Sequence, residues 1–331
     1  MRAQREKEPW LWGKRLEFRQ REASGSELVS IEIEDGEELL WAAAFKKDDR
    51  GLQTETRQDL EAEGGRVSLN ALEPGWVLTA VVSQPFDLNY LDRKVTDRWI
   101  DELLVTHEKR LGDILGSTLL AYGTDEAFVL RGNIFFSLEL MDRFKAVKGY
   151  DPSPLLAGLF VDLGDETDKI RCEYYDVMIT MLEENLFGRF AEWLHEHGMI
   201  YNEFCPNGKW LDMLGQTYHY GDFFRYMRHY DYPGNEEDTN RTRTFQGKLA
   251  SSIAHLYEHD RAGMTVYWGS GWGHTLEENL RWTNENYAYG LNLYNRHGVL
   301  LSTMGGWYEW VPPAVHFRQP TGRTGDALPI T

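Results

Sequence analysis

The fold is inferred first from the stretch Leu119-Leu120-Ala121-Tyr122-Gly123-Thr124-Asp125-Glu126. The apolar residues come directly after a segment with a helical pattern. They show no helical period themselves, which is typical of a buried β-strand. The stretch ends in two adjacent carboxylates, Asp125 and Glu126, which are unfavourable in an apolar interior unless they face a cleft. In a (β/α)₈ barrel the C-terminal ends of the strands carry the chemistry. We therefore predict a barrel strand with a catalytic end; the alternative is that Asp125 only caps the next helix.

Length and charge bound the class of protein. The 331 residues suit one large domain or two modest ones, and the formal net charge of −18 argues against nucleic acid or an anionic membrane as partner. The sequence has no apolar run long enough for a membrane span and no signal peptide, so we expect a cytoplasmic protein. Cys172 and Cys205 match no metal or redox spacing and predict free thiols.

The first third of the chain has the texture of a small β-structure. Residues 1–26 form a polar segment that we interpret as helical or irregular, and from Leu28 to Ile33 apolar and polar residues alternate strictly. Asp35-Gly36 predicts a hairpin turn, with further strands over 39–45, 66–69 and 76–82. We predict a small antiparallel β module over residues 27–86, a barrel portion over 87–320 and an irregular tail over 321–331.

After residue 87 helical and strand patterns alternate, which is the order of a parallel α/β sheet or barrel. The predicted strands lie at 119–126, 199–204, 229–232, 263–268 and 299–302. Each predicted strand is followed by a loop rich in carboxylates, Trp, Tyr or His. The segments before the strands are not rich in these residues. This asymmetry predicts an active-site face. The predicted fold is α/β, with a (β/α)₈ TIM-barrel-like catalytic domain, incomplete, and a small antiparallel β insertion.

Glycoside cleavage needs a carboxylic acid that protonates the leaving oxygen and a second carboxylate that acts as base or nucleophile. Glu126 is the candidate acid, although a structural carboxylate would give the same pattern. Glu203, next to Asn202 at a strand end, is a candidate for the second group, and an edge residue in a solvated loop is the alternative.

A third acidic position is the cluster Glu236-Glu237-Asp238, which follows a Pro-Gly turn. Glu236 or Glu237 could be the second catalytic carboxylate, although most such clusters are only solvated. A calcium ion could use the cluster, but its spacing is not that of an EF-hand. We therefore predict no metal and no cofactor.

Aromatic residues are abundant, with 12 Trp, 17 Tyr and 15 Phe. Aromatic faces suit sugar rings, and they also fill large cores. Together with Asp125 and Asn202, the predicted sugar-binding set consists of residues in glycine-flanked loops: Trp268, Trp272, His274, Trp307 and Trp310. The sequence has no HExxH, GxSxG, P-loop or strand-linked GxGxxG motif, so zinc proteases, serine hydrolases and nucleotide enzymes lack support.

The order of seven short segments resembles the α-L-rhamnosidase-type glycoside hydrolases of family 106 and their uncharacterised relatives. In chain order the segments are Asn89-Tyr90-Leu91-Asp92, Thr124-Asp125-Glu126, Gly149-Tyr150-Asp151, His197-Gly198-Met199, Ala250-Ser251-Ser252-Ile253-Ala254-His255, Gly271-Trp272-Gly273 and Pro312-Pro313. The resemblance covers roughly residues 60–320. It implies a catalytic (β/α)₈ barrel, with Glu126 on the strand end that the family's Thr-Asp-Glu segment occupies.

Two departures from the family matter for the function. Family members carry several hundred residues before this region, including the opening barrel strands, so the resemblance implies that this chain is a fragment or a shortened relative without those strands. Thr265 stands about where relatives have a Glu. The resemblance implies a glycosidase of the α-L-rhamnosidase type that acts on a plant or microbial oligosaccharide or polysaccharide. The alternatives are a degenerate carbohydrate-binding protein without activity and a β-galactosidase-like hydrolase on the same barrel. An exposed half-barrel would need a cover, so a homodimer is also expected.

Overall fold

The computed structural model describes residues 7–49, 51–125, 129–204, 218–238, 245–268 and 275–296. The chain divides into two compact units. Unit 1 comprises Met1–Glu102 and Gly132–Arg189, and unit 2 comprises Leu103–Arg131 and Phe190–Thr331. The two units differ in how their strands pair, so each is described by itself.

Unit 1 is built on two antiparallel sheets. Its strands are β1 (Trp12–Glu22), β2 (Glu27–Glu32), β3 (Glu38–Asp48), β4 (Gly51–Asp59), β5 (Ala62–Glu63), β6 (Arg66–Ala71), β7 (Trp76–Leu88) and β9 (Phe135–Phe136). The larger sheet has the order β4-β3-β7-β1-β9, and the smaller sheet has the order β2-β6-β5. The strands predicted from the alternation after Leu28 are thereby confirmed.

Strand β1 lies inside the larger sheet, between β7 and β9. Its pairing with β7 runs from Trp12 opposite Leu88 to Glu22 opposite Val77. The interpretation of this segment as helical or irregular is therefore wrong. Its many Arg and Glu side chains hide the strand pattern, because only Leu16 on this strand is fully buried.

The two sheets of unit 1 pack face to face. The smaller sheet contributes Ile31, Val67, Leu69 and Ala71, and the larger sheet contributes the buried side chains Ala42, Ala44, Leu78 and Ala80. Since three of these four are alanines, the two sheets can approach closely. Such a two-layer arrangement buries one face of each sheet.

The helices of the chain are α1 (Arg93–Leu111), α2 (Leu138–Lys148), α3 (Thr167–Leu182), α4 (Gly188–Glu196), α5 (Phe223–Met227), α6 (Phe245–Leu256) and α7 (Leu276–Ala288). A π-helical turn, Glu183–Phe187, joins α3 to α4. Local capping explains several boundaries. The Ser137 side chain accepts a hydrogen bond from the Leu140 amide at the start of α2, and Gly149 ends that helix in a left-handed conformation.

Unit 2 contains parallel strands. They are β8 (Ala121–Asp125), β10 (Ile200–Phe204), β11 (Gly234–Asp238), β12 (Gly263–Trp268) and β13 (Leu293–Arg296). β8 pairs with β10, and β12 lies between β11 and β13. A bridge between Asn202 and Tyr232 links β10 to the segment before β11. A cluster around Met264, Val266 and Trp282 packs α6 and α7 against this sheet.

The predicted (β/α)₈ barrel is wrong. A five-stranded antiparallel sheet is the largest sheet that the structure describes, and the described parallel strands form sheets of two and three without a closed ring of eight. The prediction that residues 119–126 form a buried strand also needs correction. Among the described residues β8 pairs only with β10, and Leu120, directly before it, is 52% exposed. The last predicted strand, at 299–302, lies outside the described residues.

Within the described ranges, no helix combines the length and the apolar character needed to cross a membrane.

Candidate functional site

The candidate site is the edge of unit 2 where its parallel strands end. Phe204 of β10 is in register with Asp125 of β8, and Glu203 is in register with Thr124. Neighbouring strands lie about 4.8 Å apart, so this pairing brings the backbones of two carboxylate-bearing strand ends together. Parallel strands all end at the same edge, and for this reason the backbone positions of Asp125 and Glu203 lie near each other although they are far apart in sequence.

The next strand end carries the acidic cluster. Glu236 of β11 is in register with Thr265 of β12, and Thr265 is in register with Asn295 of β13. Glu237 and Asp238 complete β11, and Trp268 is the last residue of β12. The backbone of the cluster is therefore part of a strand that joins a sheet and not of a loop.

The predicted site residues are only partly within the described structure. Asp125, Asn202, Glu203, Glu236, Glu237 and Trp268 occupy the strand positions given above, with Asn202 half-buried opposite Gly123. The remaining predicted residues lie outside the described residues: Glu126, Trp272, His274, Trp307 and Trp310. Their roles stay predictions.

A chain of hydroxyl groups supports the end of β8. The Thr124 hydroxyl lies 3.1 Å from the Tyr230 hydroxyl, and the Tyr201 hydroxyl donates to Tyr230 at 3.3 Å. The rings of Tyr201 and Tyr230 stack with centroids 4.2 Å apart, and both side chains are buried. Nothing in the sequence indicates this network, because tyrosines in apolar strand patterns look like ordinary core residues.

A second polar cluster lies near the start of β10. The Asp231 carboxylate accepts a hydrogen bond from the Tyr201 amide at 2.7 Å and contacts His195 Nε2 at 2.9 Å. Close by, burial lowers the pKa of His259, and the negative charge of Asp231 opposes that shift. No signal in the sequence indicated this cluster, because its members come from separate elements.

The part of the chain that the structure describes contains no group of three His, Cys, Asp or Glu side chains arranged to hold a metal ion.

Unit 1 contains a separate cavity of about 480 Å³. Its polar lining consists of Gln20, Lys47, Thr54 and Asp162. Neither a predicted site residue nor an aromatic ring is among the described residues that line it. We do not include it in the candidate site.

Comparison with known proteins gives a similarity at the level of the fold. No protein-family model and no curated protein matches the chain. Among solved structures, the chain is similar to a rhamnosidase from Novosphingobium sp. PP1Y, with a TM-score of 0.55 and 16% identical residues. The similarity covers 76% of this chain and 28% of the rhamnosidase chain, so the chain spans less than a third of that protein. At this identity the similarity concerns the fold alone.

Proposed function

We propose that the chain is a glycoside hydrolase that acts on a plant or microbial oligosaccharide or polysaccharide. The observation that supports the proposal is the parallel register of β8 and β10, which brings Glu203 to the same strand edge as the end of β8, where Glu126 follows in sequence. Glycosidases use two carboxyl groups that flank the scissile bond. A fold similar to that of a rhamnosidase makes α-L-rhamnosides the first substrates to test.

In the proposed mechanism Glu126, directly after β8, protonates the leaving oxygen. Glu203, Glu236 or Glu237 acts as the second carboxylate, and aromatic side chains after the strands contact the sugar rings. A separation of about 5 Å between the two carboxyl groups predicts retention at the anomeric carbon, and roughly 6.5–9.5 Å predicts inversion.

The test is hydrolysis of a panel of aryl glycosides, α-L-rhamnoside included. We expect Glu126→Gln and one of the variants Glu203→Gln, Glu236→Gln and Glu237→Gln to lose about 10²-fold or more in kcat, since positioned acids and bases contribute factors of that order. Glu166→Gln is the control, because Glu166 is exposed at the start of α3 in unit 1. Equal activity of all four site variants and the wild type would disprove the assignment.

The second candidate is a carbohydrate-binding protein without activity. It is favoured by the strand β12, where the position in register with Glu236 is Thr265 and no residue of the strand is acidic. In this case the wild type binds a sugar by calorimetry but turns over no aryl glycoside.

A further inference from the structure

Tyr267, next to the end of β12, has a backbone conformation that is unusual for its residue type. Its φ angle is +68°, in the left-handed region that favours glycine. Arg131 and Glu258 are the other described non-glycine residues with positive φ, and neither lies within a strand. A bulky residue in this region is strained by about 1–3 kcal/mol and keeps the conformation only when its surroundings enforce it.

The strained residue coincides with a β-bulge. Glu236 pairs with Thr265, but the next pair joins Asp238 to Trp268, so β12 contains one residue more than β11 between the same two pairs. Bulges change the direction of a strand and are frequent next to active sites. This bulge lies at the edge that carries Glu236 and ends at Trp268.

The side chain of Tyr267 is held by α7. It is 4% exposed, and its hydroxyl lies 2.5 Å from the Thr283 hydroxyl. Its ring stacks against Trp282, with centroids 6.2 Å apart. These contacts fix the phenol at both its ring and its hydroxyl, which explains how a strained backbone can persist at this position.

We propose that Tyr267 is a positioning residue for a sugar site at this edge. Anchored to α7, it maintains the bulge and so determines the direction in which the chain leaves β12 at Trp268, beside the end of β11. The inference rests on the proposed function, because a sugar is the ligand that the edge would position. Tyr267 itself acts through the backbone and is not assigned a contact with the reacting atoms.

The chain offers a matched set of variants. Tyr267→Phe and Thr283→Val each remove the hydrogen bond between the two hydroxyls, and Thr283→Ser retains it. The control is Tyr294→Phe, because the Tyr294 hydroxyl donates to the Thr283 carbonyl at 3.2 Å and Tyr294 lies on β13, outside the bulge. Tyr267→Phe, Thr283→Val and Tyr294→Phe keep the volume of the side chain nearly constant, and Thr283→Ser removes one methyl group while it keeps the hydroxyl.

Two measurements are made on the full chain. The first is amide hydrogen exchange of the peptides that cover β11 and β12. The second is the KM and kcat for an aryl glycoside that the wild type hydrolyses, or the Kd for the free sugar by calorimetry if it only binds. We expect Tyr267→Phe and Thr283→Val to accelerate exchange and to raise KM or Kd about fivefold with kcat unchanged, since a hydrogen bond is worth about 1 kcal/mol. Thr283→Ser should keep the hydrogen-exchange rates and the KM or Kd of the wild type.

An unchanged KM or Kd in Tyr267→Phe, or an equal effect of Tyr294→Phe, overturns the inference. Failure of the proposed function has a different result, namely a wild type that neither hydrolyses nor binds any glycoside. In that case hydrogen exchange alone decides whether Tyr267 anchors the bulge: acceleration in Tyr267→Phe and Thr283→Val but not in Tyr294→Phe supports the anchor, and any other pattern overturns it.

Discussion

The hydroxyl of Tyr230 lies 3.1 Å from the hydroxyl of Thr124, so a buried residue before β11 is joined to the strand that ends at Asp125. The two residues are 106 positions apart in sequence. This contact, together with the bond from Tyr201 to Tyr230, links β8 and β10 to the segment that leads into β11. It therefore connects the elements that form the candidate edge.

We predict that Thr124→Val lowers the free energy of unfolding by about 1 kcal/mol, the usual loss for one hydrogen bond, and that Tyr230→Phe lowers it further, because it also removes the acceptor of the Tyr201 hydroxyl. The double variant should lose less than the sum of the two, because both changes remove the same bond. Thermal and urea unfolding of the four proteins measures this. As a control, Thr124→Val is combined with Tyr174→Phe, which removes a bond to the Phe135 carbonyl in unit 1 and should be additive. Additivity in the first pair would show that the contact contributes nothing.

Glu37 forms a bidentate ion pair with Arg19, with distances of 2.8 and 2.5 Å, and its side chain is 5% exposed. Glu37→Gln should lower the free energy of unfolding by about 2 kcal/mol at pH 7, since hydrogen bonds to charged groups are worth about 1.5–3 kcal/mol. Glu38→Gln is the control, because the pair of Glu38 with Lys14 is exposed on both sides and should be worth less than about 1 kcal/mol.

The same ion pair predicts a pH dependence. The hydrogen bond from Arg19 holds the pKa of Glu37 below its ordinary value of 4.5. The folded state therefore binds its proton at lower pH than the unfolded state, and the stabilisation is present above pH 4.5 and lost as pH falls through the folded pKa. The difference in unfolding free energy between wild type and Glu37→Gln should narrow on acidification. A constant difference from pH 7 to pH 3 would contradict this prediction.

Local patterns in the sequence identified elements better than partners. The helices α1 and α3 and the strands β8, β10 and β12 lie where hydrophobic periodicity predicted them. Periodicity does not indicate which strands pair, and the barrel was inferred from the order of elements and from the family resemblance. The pairing of β1 with β7 and β9 could not be predicted, because β1 is rich in charged side chains and its partners lie far along the chain.

Only part of the candidate edge could be predicted from the sequence. A carboxylate at the end of an apolar run is visible in the sequence, as at Asp125 and Glu203. The supporting contacts of Tyr201, Tyr230 and Tyr267 depend on tertiary packing, and a left-handed tyrosine has no signature in the sequence. The homodimer stays a prediction. The exposed half-barrel from which it was inferred falls with the barrel prediction.

We predict that the burial of His259 lowers the stability of the protein on mild acidification. Burial lowers its pKa from 6.5, and its Nε2 is buried with no hydrogen-bond partner among the described residues. Between pH 6.5 and the lower pKa of the folded state, the unfolded chain binds the additional proton, so stability falls as pH falls through that window. His259→Asn should make the thermal midpoint less dependent on pH between 7 and 5. His255→Asn, at an exposed position of α6, should leave the slope unchanged; equal slopes for wild type and His259→Asn would refute the prediction.

Among the described glycines, we expect an added methyl group to destabilise the protein most at Gly116. Its φ angle is +70°, and a Cβ at this position would lie 2.6 Å from the His197 carbonyl oxygen. Gly149, at the end of α2, has a φ of +82° but no heavy atom within 4 Å of the same position. Gly149→Ala should therefore lose only the conformational term of about 1–2 kcal/mol.

Gly116→Ala should lose that term together with the energy of moving a backbone segment. Its thermal midpoint should consequently fall further below the wild type than that of Gly149→Ala. Differential scanning calorimetry of the two variants measures the comparison. Equal shifts would mean that the approach of Gly116 to the His197 carbonyl is not tight in solution.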